Sequence, residues 1–180
     1  MRVRGLKVEN KLNDGKEFIC KVEIVCESEE AFGEFVKLAS STKQKITFSY
    51  IRLMGDNFDT MNKNKMITLG QKAYEALMEG FATGLFFMTY EFRIYNFKQE
   101  VTPLLAFVDS LVGNPSLQTI GFARNGINED IIAAILQRLY FNPSLTCLDV
   151  NGNPITISKF MDEIVVPYFS TRKDFRMITD

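Results

Sequence analysis

One phrase occurs twice in the second half of the chain. NPSLQTIGFARNGI begins at Asn114, and NPSLTCLDVNGNPI begins at Asn142. In both phrases apolar residues stand at the same relative positions, and an asparagine follows the leucine of NPSL by eight residues, at Asn125 and Asn153. Alternating apolar residues are typical of a short strand with one buried face. A repeat with a period of about 28 residues predicts a fold built from stacked strand-and-helix units.

A helix is predicted after each strand. Five apolar residues follow the first phrase at the spacing of one buried helical face, and the last of them lies six residues before Leu145. The same stripe occurs three more times earlier in the chain. The four stripes are Ala31, Phe32, Phe35, Val36 and Ala39; Ala73, Tyr74, Leu77, Met78 and Phe81; Pro103, Leu104, Phe107, Val108 and Leu111; and Ile131, Ile132, Ile135, Leu136 and Leu139.

A step of six residues from each stripe predicts where the next strand phrase begins. The starts predicted in this way are Lys45, Phe87, Leu117 and Leu145, and a first strand phrase precedes them at Ile19. For the first three phrases the predicted core residues are Val22 and Ile24, then Phe48 and Tyr50, then Tyr90 and Phe92; Tyr95 takes the place of the asparagine. One interval is too long, and a stretch rich in Gly, Asn, Asp and Thr at 55–70 accounts for it as a loop insertion.

The two ends of the chain are predicted to cap the stack. Residues 1–18 form the N-terminal cap, with a hairpin turning at Asp14-Gly15. Residues 170–180 form a C-terminal cap or a truncated repeat, which would make the chain part of a longer array. Residues 19–169 then hold about five repeats, the last ending in a helix near 158–168, within a single domain over 1–180.

The two complete phrases share the pattern L-x-x-L-x-L-x-x-N-x-L. This pattern resembles the leucine-rich repeats of ribonuclease-inhibitor type, which combine a strand with a full helix in units of about 28 residues. The resemblance implies an α/β, right-handed solenoid with parallel strands on the concave side and helices on the convex side, used mainly to bind other proteins. Capping domains of tropomodulin type are similar in architecture and unit number, so the resemblance also implies an actin-regulatory role as an alternative.

Charged side chains on the predicted concave face are the candidate partner-binding residues. The residues four places after the start of each phrase form a column with three acids. The residues seven places after the start form a column with two arginines, which suit bidentate contacts with carboxylates. The first column is Glu23, Ser49, Glu91, Gly121 and Asp149; the second is Cys26, Arg52, Ile94, Arg124 and Gly152. Arg93 joins the candidates as a neighbour of Glu91. The alternative interpretation is that these charges only solubilise an exposed sheet.

Asn125 and Asn153 are predicted to be structural. At the end of each strand, an asparagine side chain can hydrogen-bond backbone groups of neighbouring turns that would otherwise be buried unpaired.

Composition argues against several function classes. The chain has no histidine, and no phosphate-binding glycine loop or G-x-S-x-G elbow follows a predicted strand. We therefore predict no enzyme, no cofactor and no metal site. The competing hypothesis is an α/β enzyme or small-ligand-binding domain, with its site at the carboxyl ends of parallel strands.

Charge and cysteine usage predict the kind of partner and the compartment. The chain has 21 basic and 22 acidic residues and no basic cluster, which argues against nucleic acid and an acidic membrane surface. No apolar block suits a signal peptide or a membrane span. Three cysteines do not make a disulfide framework. We expect a cytoplasmic protein whose partner is another protein.

Overall fold

A computed structural model of the protein describes residues 2–12, 14–41, 45–56, 66–156, 162 and 165–179. Strands and helices alternate along most of this length. The strands are β1 (Arg2–Leu12), β2 (Glu17–Cys26), β3 (Lys45–Gly55), β4 (Thr68–Leu69), β5 (Glu91–Tyr95), β6 (Lys98–Gln99), β7 (Thr119–Gly121), β8 (Cys147–Asp149) and β9 (Arg176–Ile178). The helices are α1 (Glu30–Ser41), α2 (Gln71–Ala82), α3 (Val101–Ser110), α4 (Glu129–Leu139) and α5 (Val166–Phe169).

Seven of the strands form one sheet in the order β1-β2-β3-β5-β7-β8-β9. β1 and β2 are antiparallel, and every following pair is parallel. β4 and β6 form a separate parallel ribbon of two strands. The protein is thus an α/β protein with a mostly parallel sheet, whose strands follow one another across the sheet in chain order.

The four predicted stripes are the buried faces of α1 to α4. α1 packs against α2, α2 against α3, and α3 against α4, so the four helices lie side by side. Their apolar residues and alternate residues of the strands share one hydrophobic core. Residues such as Leu104, Phe107 and Ile135 have no accessible surface, which is typical of the side chains that contribute most to hydrophobic stabilisation.

The asparagine that opens each NPSL phrase lies between a helix and the next strand, and its side chain hydrogen-bonds several backbone groups there. Oδ1 of Asn142 accepts hydrogen bonds from the backbone N–H groups of Ser144 and Leu145, at 2.8 and 3.1 Å. Its Nδ2 donates to the carbonyl of Leu111 in the preceding unit, at 2.7 Å. Asn114 accepts the equivalent local bonds one repeat earlier. Both copies of the phrase thus form the same local turn, and Asn142 also links its unit to the one before.

The asparagine that follows the strand serves two turns at once. Oδ1 of Asn153 accepts from the backbone N–H groups of Asn125 and Ile127, at 3.0 and 3.2 Å. Nδ2 of Asn153 donates to the carbonyls of Phe122 and Val150, at 2.8 and 2.7 Å. These four bonds satisfy backbone groups of two successive repeats, which three-residue strands leave without ladder partners.

Asn125 makes the same kind of link to the repeat before it. Its Oδ1 accepts from the backbone N–H of Phe97 at 2.9 Å, and its Nδ2 donates to the carbonyl of Ile94 at 3.0 Å. The side chains of Asn125 and Asn153 therefore form a ladder that runs across β5, β7 and β8.

The third strand phrase begins two residues later than the sequence predicts. Phe92 pairs with Ile120, which lies one repeat period further along the chain, and the core residues of β5 are Phe92 and Ile94. The prediction of Tyr90 as a core residue was wrong. The position that aligns with Asn125 holds Phe97 instead of Tyr95, so this repeat fills the asparagine site with a buried ring. The aromatic residues Tyr90 and Phe92 had made both registers fit the apolar pattern.

A β-bulge changes the register at the N-terminal side of the sheet. Cys20 pairs with Phe48 but the next residue, Lys21, pairs with Tyr50, so Ser49 is the extra residue of β3. The prediction of Tyr50 as a core residue was therefore wrong, since one extra residue turns the following side chains to the other face. Phe48 remains in the core, and Ile51 and Leu53 fill it beyond the bulge.

Aromatic rings hold this N-terminal part of the core together. The Phe86 ring has no accessible surface and lies 6.3, 6.1 and 5.2 Å from the ring centroids of Phe35, Phe48 and Phe81. Such pairs stabilise a core beyond the area they bury. A Cβ at Gly80 would overlap the Phe86 ring, so a glycine in the last turn of α2 leaves the space that this ring fills.

β1 and β2 form the hairpin predicted at Asp14-Gly15, where both residues have positive φ, 56° and 81°. At the other end, β9 extends the sheet, with Leu148 paired to Met177. Residues 57–65 of the predicted insertion and most of the helix predicted near 158–168 lie outside the described residues; within the described parts, β4 and α5 occupy 68–69 and 166–169.

Candidate functional site

The sheet has one face in the core and one face that remains accessible. Along β2, β3 and β5, residues such as Val22, Ile51 and Phe92 are buried against the helices, whereas their chain neighbours are half-buried on the other side. We call this other side the open face. Its polar and aromatic residues are Lys21, Glu23, Tyr50, Arg52, Glu91, Arg93 and Tyr95, together with Asp149, which is buried with 5% of its surface exposed.

Four of the predicted partner-binding residues lie in one row across the open face. Glu23 pairs with Arg52, Arg52 with Arg93, Arg93 with Gly121, and Gly121 with Asp149. We call these five residues the charged row. Acids and arginines therefore stand in the same row, and the predicted separation into an acidic and a basic column was wrong. β3 pairs with β2 two residues further along than the sequence predicts, as Ile19 opposite Thr47 shows, and its bulge adds one residue more. These displacements and the two-residue shift of β5 are the physical reasons.

Several members of the predicted columns do not reach the open face. Cys26 and Ile94 have no accessible surface and belong to the core, while Ser49 is the buried residue of the bulge. Glu91 lies on the open face in the next row, opposite Tyr50. The register of the sheet, and not the repeat phrase alone, decides which side chains are accessible.

Arg52 is held by one carboxylate and two rings. Its Nη1 lies 3.0 Å from Oε1 of Glu23. Its guanidinium lies 5.8 Å from the ring centroid of Tyr50 and 5.4 Å from that of Tyr95. A guanidinium at this distance from aromatic rings gains a cation–π attraction that adds to the ion pair. Arg52 is thereby positioned before any partner arrives.

Arg93 connects β5 to β8 across the intervening strand β7. Its guanidinium donates to Glu91 on its own strand, to the Tyr95 hydroxyl at 3.0 Å, and to Asp149 two strands away. It can reach Asp149 because β7 presents Gly121 between them. A Cβ at Gly121 would lie 3.0 Å from Cγ of Arg93, tighter than ordinary van der Waals contact. Gly121 thus keeps open the space through which Arg93 and Asp149 meet.

The protonation states of this cluster follow from burial and hydrogen bonding. Burial raises the pKa of Tyr50 to about 12, and burial also raises the pKa of Tyr95. Burial alone would lower the pKa of Arg93, but hydrogen bonds to Glu91 and Tyr95 raise it overall. At neutral pH both phenols are therefore protonated, and the Tyr95 hydroxyl can donate to Asp149.

A second ion pair lies at the β1 side of the open face. Nζ of Lys21 is 3.0 Å from Glu9, and it lies 5.6 Å from the ring centroid of Tyr90 and 6.0 Å from that of Tyr50. Hydrogen bonds to Tyr90 and to Glu9 raise the pKa of Lys21, and the bond to Tyr90 has the larger effect. A groove of about 410 Å³ lies here, with Lys7, Lys21, Glu23, Tyr50, Tyr90 and Glu91 in its lining.

Arg124 lies beyond the end of β7 and outside the charged row. It has a φ of 57°, while Asn96 and Gly152, the equivalent positions one repeat before and one repeat after it, have φ values of 61° and 68°. The three residues mark one left-handed turn that repeats after β5, β7 and β8. A Cβ at Gly152 would lie 2.8 Å from Cγ of Arg124, so the arginine stem passes over this glycine.

Three residues of the site were not identified from the sequence as functional. Tyr50 and Tyr95 were assigned to the core and to the asparagine position, and Gly121 was included only as a member of a column. The bulge that exposes Tyr50 has no signal in the repeat phrase. The role of Gly121 depends on which side chains flank it on β5 and β8, which only the register shows.

Within the described residues, no group of three or more Cys, Asp or Glu side chains is arranged to hold a metal ion. None of the described helices has both the length and the apolar character needed to cross a membrane. No protein-family model matches the chain, and no curated protein matches it by sequence.

Proposed function

We propose that the protein is a non-catalytic protein-interaction module, built as a leucine-rich-repeat solenoid, that binds a partner protein through the open face. The observation that carries this proposal is the network in which Arg93 joins Glu91, Tyr95 and Asp149 across three strands. Arginine and tyrosine are enriched among the residues that dominate protein–protein binding energies. Here they are already fixed in position, which lowers the entropy that binding has to remove.

The repeat architecture is supported by the order and linkage of the strands. The sheet follows chain order, the helices α1 to α4 lie side by side, and the side chains of Asn125 and Asn153 link successive repeats. Each repeat therefore contacts mainly its neighbours, as in stacked repeat proteins.

The same order of strands argues against the enzyme hypothesis. In doubly wound α/β proteins a ligand binds where the order of strands reverses along the sheet. The parallel strands β2, β3, β5, β7, β8 and β9 succeed one another without a reversal. The buried, unpaired cysteines Cys20, Cys26 and Cys147 are typical of a reducing compartment and support a cytoplasmic location for the module.

Site-specific photo-crosslinking tests this function. A photoreactive phenylalanine analogue replaces Tyr50 on the open face, and the matched control replaces exposed Lys37 on α1. After irradiation in cells, we expect a discrete cross-linked protein from position 50 and none from position 37. In lysate, unlabelled wild type and Lys37→Glu should both compete for this cross-link, whereas Arg52→Glu, which opposes Glu23 and removes the cation, should not.

Two outcomes contradict the proposal. One is the same set of cross-linked proteins from both positions, which would indicate random collisions. The other is the absence of a cross-link from position 50 together with a small molecule that co-purifies with the chain in native mass spectrometry, which would favour the ligand-binding hypothesis. Circular dichroism of each variant separates loss of binding from loss of folding.

A further inference from the structure

The first strand of the sheet has a long exposed edge. β1 spans 11 residues, and in the part of the chain that the structure describes it pairs on one side only, with β2. All of its residues except Gly5 are exposed. The opposite edge of the sheet, β9, has three residues. Bulges interrupt β1 between Val3 and Gly5 and between Val8 and Asn10, and the run between them is regular. An exposed strand edge of this kind offers unpaired backbone groups to another strand.

Apolar side chains accompany this edge. Val3, Leu6 and Val8 are 51%, 62% and 43% exposed. They pair with Ile24, Val22 and Cys20, which are core residues of β2, so they lie on the helix side of the sheet. The core face of the sheet thus continues onto β1 and stays accessible there. A strand added beside β1 would find apolar surface on this side as well as backbone partners.

The charges along β1 are not balanced. Arg4, Lys7 and Lys11 have no ion pair within the described residues, whereas Arg2 pairs with Glu27 at 3.1 Å. The only acid of the strand, Glu9, lies 3.0 Å from Lys21. Lys7 is moreover the direct cross-strand partner of Lys21, and like charges in that arrangement repel each other. β1 therefore presents an excess of positive charge along its free edge.

We propose that β1 is a second interaction site, at which an extended acidic segment of a partner protein adds a strand to the sheet. Carboxylates of the segment face Lys7, which lies on the side of the open face, and its apolar residues lie beside Val3, Leu6 and Val8 on the helix side. Arg4, in the first bulge, and Lys11, which pairs with Phe18 beyond the second bulge, add positive charge along the strand. A second copy of this chain fits less well, because two β1 edges would bring the same unpaired cations together. This site shares Lys7 with the groove at the β1 side of the open face, but Arg52 and Arg93, on which the open-face proposal rests, take no part in it.

The probe is a peptide of about ten residues that alternates glutamate with valine, the length of one strand. Two control peptides are compared with it. One alternates lysine with valine and tests the charge; the other alternates glutamate with valine but has alternate amides N-methylated, and it tests the backbone hydrogen bonds. Fluorescence anisotropy measures affinity, and hydrogen exchange measures protection of the β1 amides. We expect binding of the first peptide only, slower exchange in β1, and a loss of affinity of about tenfold in Lys7→Glu/Lys11→Glu. The matched control Lys37→Glu, on α1, should bind like wild type.

Each other outcome overturns the proposal. Equal affinity for the N-methylated peptide excludes strand addition, because that peptide cannot form the edge hydrogen bonds. Recognition of an acidic segment is excluded if the folded wild type does not bind the acidic peptide. It is also excluded if the double charge-reversal variant binds that peptide with full affinity. A dimer in analytical ultracentrifugation that Lys7→Glu/Lys11→Glu alters would assign the edge to a second copy, and binding only to phosphatidylserine vesicles would assign it to lipid.

Discussion

Residues 114–155 and the N-terminal strands β2 and β3 use the same layered arrangement but stabilise it differently. In the tandem phrases the strands have three residues each, and asparagine side chains complete the backbone hydrogen bonding. β2 and β3 have 10 and 11 residues, pair through their own backbones, and pack aromatic rings beneath them. The comparison shows that one layered arrangement can be stabilised either by asparagine side chains around short strands or by longer strands packed on aromatic rings.

The largest effect is expected where the aromatic core is broken. Phe86→Ala removes a fully buried ring from contact with Phe35, Phe48 and Phe81, and should lower the free energy of unfolding by about 3–5 kcal/mol. Phe87→Ala is the matched control, since Phe87 is 52% exposed, and should change stability by less than about 1 kcal/mol. Urea unfolding measures both. Similar losses in the two variants would mean that this part is not held by its rings.

The asparagine ladder should contribute a smaller amount. Asn153→Ala leaves backbone groups of Asn125, Ile127 and Phe122 without their partner and should lower the free energy of unfolding by roughly 1–3 kcal/mol. Asn10→Ala, an exposed asparagine on β1, should change it by less than about 0.5 kcal/mol. Thermal and urea unfolding test the pair. An unchanged melting temperature in Asn153→Ala would argue against a stabilising ladder.

A third variant tests the space at Gly121 on β7, through which Arg93 reaches Asp149. Gly121→Ala places a methyl group 3.0 Å from Cγ of Arg93, which should displace the arginine from Asp149 and lower the free energy of unfolding by about 1 kcal/mol. Gly113→Ala meets nothing within 4 Å and should leave stability unchanged or raise it slightly. If both alanines behave alike in urea unfolding, Arg93 does not depend on the space at Gly121.

The smallest effect at neutral pH is expected from Tyr50→Phe, which keeps the ring beside Arg52. Its difference from wild type should grow in alkali. The phenol titrates at about 12 in the folded protein but near 10 when unfolded. Its contribution is therefore complete below about pH 10 and declines as the pH rises toward 12. Urea unfolding at several alkaline pH values should show a steeper decline for wild type, and parallel declines would contradict the raised pKa.

Much of the fold is predictable from periodicity, because it depends on residues close in sequence. The stripes of α1 to α4, the tandem phrases and the hairpin at Asp14-Gly15 all have local signatures. The register of β3 and β5 does not. A single extra residue at Ser49 exchanges the faces of Tyr50 and Ile51, and the backbone geometry that decides it is set by the neighbouring strands.

The sequence predicted several residues of the candidate site but not how they are arranged. Glu23, Arg52, Arg93 and Asp149 do share one row, in which two neighbouring arginines lie between two acids. Glu91 lies in the next row, and Arg124 lies beyond the end of β7. The missing information was which residues stand opposite one another. Arg93 reaches Asp149 only because Gly121 separates them, and that relation spans 56 residues of sequence.

The strand order of the sheet also bears on the entropy of closing chain loops. Glu91 pairs with Thr119 and Thr119 with Cys147, each one repeat period apart, whereas the connection from Tyr50 to its partner Glu91 is longer because it includes the insertion. The entropy lost on closing a loop grows only with the logarithm of its length, so a connection about one and a half times as long costs about 0.3 kcal/mol more than a regular one. That is less than the net contribution of a typical hydrogen bond. A chain with this topology can therefore acquire or lengthen such an insertion between repeats at almost no expense to its stability.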